Sequence, residues 1–231
     1  MRLPFQSQGS RPPKEKEGEF ILPPANTTLS NVRAYLKSRK ISNTVIDYCI
    51  QTGRLYEKAV YVKSGTYAGM IAAYDCVFVG FDQQGSARFA CVRQADNEEA
   101  YRRDVDFSDK RYGFCIPAED PGNPCVAVFE APIDAQSHAT LTEREKGSKW
   151  RDRHRLALAG DSLLALRQFL TDHQQITAIE ICTDNDPTGH RIAADIHKLY
   201  DGLYTVRDNH PQRGKDYNQF LKLEFERSCI R

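Results

Sequence analysis

Val126-Ala-Val-Phe-Glu-Ala-Pro-Ile-Asp134 and Ile179-Glu-Ile-Cys-Thr-Asp-Asn-Asp-Pro-Thr-Gly189 decide the fold. In each, a short apolar run rich in β-formers ends abruptly in carboxylates, and helix-like sequence follows. That is how a strand delivers acids to the carboxyl edge of a sheet, where α/β folds place their ligands. Glu130, Asp184 and Asp186 therefore stand as candidate metal ligands and catalytic acids. Asp184 and Asp186 project to one side while the chain is extended. Carboxylates held that close need a counter-charge, and hard oxygen donors suit Mg²⁺ or Mn²⁺.

Around these two stretches the pattern repeats. Cys125 to Phe129 reads as a strand and Ile133 to Leu141 as a helix. Arg155 to Gly160 is a second apolar run, followed by a helix from Asp161 or Ser162 to about Leu170. Ile176 to Thr183 is the third strand, Pro187 to Tyr200 its helix, Leu203 to Val206 a short fourth strand, and Asp216 to Phe225 a last helix. Four alternations predict an α/β unit over 123–231, with a mainly parallel four-stranded sheet flanked by helices. Asp134, four residues after Glu130, either turns back toward the acids or caps its helix. Gly189 either admits a ligand to the backbone or serves packing.

Ala118 to Pro124 is dense in turn formers and marks a boundary. The region 28–120 predicts a smaller α+β subdomain. Leu29, Val32 and Leu36, then Val45, Ile46 and Ile50, fall at helical spacing, with Ser42 as N-cap and Gly53 as terminator. After a charged connector, Cys76–Phe81 and Ala87–Arg93 flank Asp82-Gln-Gln-Gly85 as a hairpin. Tyr101-Arg-Arg103 and Ser108 to Phe114 interleave basic and aromatic residues, Lys110 and Arg111 among them, as phosphate tracking and base stacking require. A solvated sheet face explains that composition equally well. Residues 1–27 hold five of the eleven prolines and read as a flexible leader.

Composition narrows the function classes. A net charge of +1 gives no global attraction for nucleic acid, so any such binding is local. Seven scattered cysteines without a Cys-x-x-Cys pair predict buried, reduced thiols and a cytoplasmic protein. No apolar run approaches the roughly 18 residues of a membrane span. Phosphate-binding glycine loops, a Gly-x-Ser-x-Gly elbow and a zinc pattern are all missing.

The ordered set Glu130, Asp184-x-Asp186 and Gly189 resembles the Toprim domain, the catalytic module of topoisomerases, DnaG-type primases and small nucleases. Ala131-Pro132 departs from the glycine that usually follows the glutamate. Gly214-Lys-Asp-Tyr-Asn218 resembles the Gly-Lys-Asp-x-Asn segment of primase-like Toprim domains, which adds Lys215 and Asp216 as secondary site candidates. Ala34 to Ser42 with Val45-Ile46 resembles the opening of the bacterial primase core, with Arg93 and Lys110 in its basic part. The resemblance implies a primase-like Toprim protein of plasmids, phages or conjugative elements. It further implies Mg²⁺-dependent nucleotidyl transfer on single-stranded DNA with nucleoside triphosphates, in company with replication or mobilisation proteins. A Toprim metal-dependent nuclease and a catalytically silent DNA- or partner-binding protein of a mobile element are the alternatives. The zinc module and helicase-docking domain of primases have no counterpart here.

Overall fold

A computed structural model describes residues 18–95 and 102–228. Residues 1–17 of the expected leader, Tyr101 and Cys229 lie outside the described residues.

The first unit begins with helices α1 (Ser30–Ser38) and α2 (Asn43–Gln51). Ser42 caps α2 by accepting from the Val45 N–H, and Gly53, at φ +69°, takes the left-handed conformation that ends it. Strands β1 (Leu55–Tyr61), β2 (Ile71–Phe81), β3 (Ala87–Gln94) and β4 (Arg102–Asp104) form an antiparallel sheet in that order. The hairpin over 76–93 is present as expected, with a longer first arm. Strand β1, by contrast, lies where the sequence reads as a charged connector. The reason is Glu57, fully buried, whose carboxylate accepts from the Asn26 and Asn31 side chains and from the Val32 N–H. A carboxylate that serves as the N-terminal cap of a distant helix breaks the apolar alternation by which a strand is read.

Part of the expected leader is packed. Phe20 and Leu22 lie against the outer face of the sheet, over Val77, Val79, Ala90 and Val92. The Tyr56 hydroxyl donates to the Pro23 carbonyl, and the Asn26 N–H to that of Glu57.

The second unit contains β5 (Cys115–Ile116), β6 (Cys125–Phe129), α3 (Pro132–Lys146), β7 (His154–Ala157), α4 (Leu164–Asp172), β8 (Ala178–Ile181), α5 (Pro187–Tyr200), β9 (Thr205–Asp208) and α6 (Tyr217–Ser228). Its sheet has five strands, in the order β5-β7-β6-β8-β9. Four are parallel, as expected, and β5 adds an antiparallel edge from before the turn-rich boundary. Helices α3 and α5 run further than, or as far as, the sequence pattern indicates, each opening on a proline in its first turn.

Alternation along β6 sorts the core into two. Val126 and Val128 join Ile179, Ile181, Leu166, Ile192 and Ile196 on the face covered by α4 and α5. Ala127 and Phe129 point the other way, into a cluster that runs without a break from α1, α2 and Phe78 through Phe114 and Ile133 to Tyr217 and Leu221 of α6. The two units therefore share one hydrophobic core. The six described cysteines are all reduced, and three of them, Cys49, Cys76 and Cys182, are buried.

Candidate functional site

Strands β6 and β8 are neighbours, yet their connections leave in opposite directions: β6 leads through α3 to β7, and β8 through α5 to β9. Where neighbouring parallel strands part in this way, a crevice opens at their carboxyl ends. Glu130 immediately follows β6, and the loop 182–186 follows β8.

The Asp184 N–H donates to Glu130 Oε1 at 3.0 Å, which ties the two strand ends together. Asp186 is the N-cap of α5, its Oδ1 accepting from the Gly189 N–H at 2.9 Å. Its Oδ2 faces Lys215 Nζ at 3.0 Å, and the same ammonium lies 4.0 Å from Asp184 Oδ2. The loop that carries Lys215 is itself tied in, since the Asn185 N–H donates to the Lys215 carbonyl and Asn185 Nδ2 to that of Pro211. Gly189 is a packing residue: a Cβ there would lie 2.1 Å from the Asp184 carbonyl oxygen, so only glycine lets α5 start this close to the acids.

Asp134 does not cap its own helix, whose N-cap is Ala131. It turns back as the other expectation has it, and its Oδ1 accepts from the Asn218 N–H at 3.1 Å, satisfying a donor at the start of α6. Asp216 caps the same helix through the Gln219 N–H.

Electrostatics separate the acids. Burial, then the charges of Glu130 and Asp216, push the Asp184 carboxyl up to about 7. Burial also raises Glu130, offset in part by the Asp184 N–H, and raises Asp134 far above the usual carboxylate range, with Asp216 and Asp184 adding to it. Asp186 is held low by the Gly189 N–H and by Lys215. The cluster therefore carries more carboxylate than its surroundings neutralise.

Among the described residues no three acid, histidine or cysteine side chains form a ready-made metal cage. The donor set nonetheless fits a hard divalent ion. Glu130, Asp184 and Asp186 are oxygen donors on two adjacent strand ends, and the raised Asp184 marks a place short of positive charge.

Basic side chains face the acids across a trough between the two units. Arg93 and Arg102 are register partners on β3 and β4 and so share a face. With Arg39 they line a cleft of about 300 Å³ whose other wall is Asp134, Asp184, Lys215 and Asp216. An adjoining cleft of about 450 Å³ shares Arg93 and Arg102, reaches Glu130 and Gly160, and has an apolar floor that includes Phe78, Phe89 and Leu158. Lys110, paired with Asp104 at 2.9 Å, stands at its far rim beside Gly160. Arg111 is not brought to the acids. It grips Asp109 through both carboxylate oxygens and lines a separate cleft with His154 and Phe169.

Three residues here carry no local signal of their role in the sequence. Arg102 was visible only as part of a basic run, because its pairing with Arg93 depends on a strand of three residues. Arg39 and Asn218, 179 positions apart, meet through Arg39 Nη1 and Asn218 Oδ1 at 3.1 Å, and Asn218 Nδ2 returns a bond to the Arg39 carbonyl.

Residues 127–221 match the family model for Toprim-like domains. No curated protein matches the chain. Among solved structures, the primase fragment of the bacteriophage T7 primase-helicase protein is similar, at 15% identity and a TM-score of 0.56, over 84% of this chain and 70% of that one. The E. coli primase catalytic core is similar at 16% identity and a TM-score of 0.51, over 86% and 72%. A DnaG primase catalytic domain bound to single-stranded DNA is similar at 14% identity and a TM-score of 0.52, over 87% and 70%. The chain thus has the fold of DnaG-type primase catalytic cores, with a Toprim-like segment over 127–221.

Proposed function

We propose that this protein is a divalent-cation-dependent nucleic-acid enzyme that carries out primase-like nucleotidyl transfer on single-stranded DNA. The observation that carries the reading is the trough. Glu130 and Asp184 stand on one side, with Asp186 joined to Asp184 through the Lys215 ammonium, and Arg93 and Arg102 line the other. A structural relative binds single-stranded DNA, and we extend that ligand class to this trough.

Glu130, Asp184 and Asp186 would hold Mg²⁺ or Mn²⁺, which when bound supplies Lewis-acid stabilisation to charged phosphate oxygens. Arg93 and Arg102 offer guanidinium forks to phosphate oxygens of the strand or of the incoming triphosphate. Phe78, Phe89 and Leu158 give an apolar floor that strips water from whatever lies on it. Asp134, buried and capping α6, positions the wall that carries Lys215 and Asp216. The mobile-element setting and the replication or mobilisation partners rest on the resemblance of the sequence alone. No described helix is long and apolar enough to cross a membrane.

The test is incubation of the full chain with single-stranded template, nucleoside triphosphates and Mg²⁺ or Mn²⁺, with products resolved on a gel. New oligonucleotides that disappear in Glu130→Gln and Asp184→Asn, both still folded by circular dichroism, are the expected result. Cut template would replace transfer with nuclease chemistry at the same acids. Binding without any product, unchanged by either substitution, would leave a binding protein.

A further inference from the structure

Lys215 stands inside the acid cluster. Its main chain is fixed on both sides: the carbonyl accepts the Asn185 N–H at 2.6 Å, and the N–H donates to Gln219 Oε1 at 2.6 Å. Gly214, at φ +77°, sets the turn that delivers it. The side chain is another matter, 59% exposed at the end of a flexible stem. The ammonium can leave while its anchor stays.

What the ammonium holds is the oxygen a metal would need. Asp186 Oδ1 is engaged by the Gly189 N–H, and Glu130 Oε1 by the Asp184 N–H. The remaining oxygen of Asp186 is paired with Lys215, which also faces Asp184 Oδ2. An ammonium and a divalent cation cannot share that position, because two positive centres a few ångströms apart repel strongly outside bulk water. Asp184 and Asp186 are thus arranged around a side-chain cation.

We infer that Lys215 is the built-in counter-cation of this site, which occupies the place of the divalent ion and must be displaced for the ion to bind. Lys215 thereby sets the metal affinity of the acids without being a ligand. The inference rests on the metal-site reading above and concerns how that site fills.

The experiment is titration of the full chain with Mn²⁺ alone at low ionic strength, free Mn²⁺ being read by electron paramagnetic resonance. Lys215→Met is expected to bind Mn²⁺ about two- to fivefold more tightly than wild type, the range set by the worth of a half-exposed ion pair. Lys215→Arg keeps the charge and is expected within about twofold of wild type. Equal or weaker binding by Lys215→Met overturns the inference, as does equal tightening by Lys215→Arg. Glu130→Gln separates the two levels. If it loses Mn²⁺ while Lys215→Met gains nothing, only the counter-cation role fails. If it binds Mn²⁺ like wild type, the metal site itself fails.

Discussion

The Asp184 N–H and Glu130 Oε1 are joined by a hydrogen bond of 3.0 Å that crosses from one strand end to the next. A loop that carries two acids is thereby locked to the strand that carries the third, before any ligand arrives. Such pre-organisation has a cost in charge, and it is legible in the carboxyls themselves.

Asp184 titrates near 7 in the folded chain, against an ordinary value of 3.8. Between those values the folded protein holds a proton that the unfolded chain has released, so this group's contribution to stability falls as pH rises through the window. Asp184→Asn removes that dependence. In chelator-treated protein, the stability of the variant relative to wild type should increase by roughly 1–2 kcal/mol from pH 4.5 to pH 8, after allowance for solvent screening. Urea denaturation at the two pH values measures it. A difference that does not change with pH would mean that Asp184 is an ordinary surface acid.

Gly189→Ala should be far more damaging than its size suggests. The added Cβ would meet the Asp184 carbonyl at 2.1 Å, and neither backbone can yield without moving the start of α5 or the acid loop. A loss of about 2–4 kcal/mol is expected, with loss of Mn²⁺ binding. Gly85→Ala, at φ +77° but with open space around it, should cost only about 1 kcal/mol and leave the metal site intact. Thermal melts and Mn²⁺ titrations of the two variants make the comparison.

Arg93→Ala and Arg102→Ala should weaken binding to a single-stranded oligonucleotide, and each should lower the slope of log affinity against log salt by about 0.7. Arg111→Ala, its guanidinium held by Asp109 over a different cleft, should change neither. Fluorescence anisotropy over a potassium chloride series reads both quantities. An effect of Arg111 equal to that of Arg102 would remove the trough as the binding surface.

Asn218→Leu should destabilise the fold by roughly 2–4 kcal/mol, because it leaves the Arg39 carbonyl and Ser137 Oγ without the amide that joins them in a buried position. The Asn218 N–H to Asp134 is a main-chain bond and survives. Urea denaturation should therefore move strongly while Mn²⁺ affinity moves little.

What the sequence reveals follows the range of the interactions involved. Helix α5 coincides with its expected bounds, because Asp186-Pro187 is a cap and first turn written in adjacent residues. The positions of Glu130, Asp184 and Asp186 at strand ends are legible because strand ends are local features as well. Strand β1 has no clear local pattern because its buried Glu57 answers to partners 25 to 31 residues away. Arg155 looks like one polar residue at the head of an apolar run, yet it is fully buried, bonded to His138 and Thr142 of α3 and to Asp152 just before its own strand. Arg39, Arg102 and Asn218 share the same difficulty: their roles are set by register and packing between units, which no local pattern encodes.

Strand β5 carries a consequence for how this protein can be taken apart. Cys115 and Ile116 precede the turn-rich boundary but complete the sheet beyond it, and Arg54 Nε of the first unit holds the Cys115 carbonyl at 2.8 Å. A fragment trimmed to the family match would leave β7 with a bare hydrogen-bonding edge, open to pairing with another chain. It would also bare the half of the core that Phe78 and Phe114 now close. Transplanting the acidic module into a foreign host would thus require its neighbour to travel with it, and the portable unit is larger than the motif that marks it.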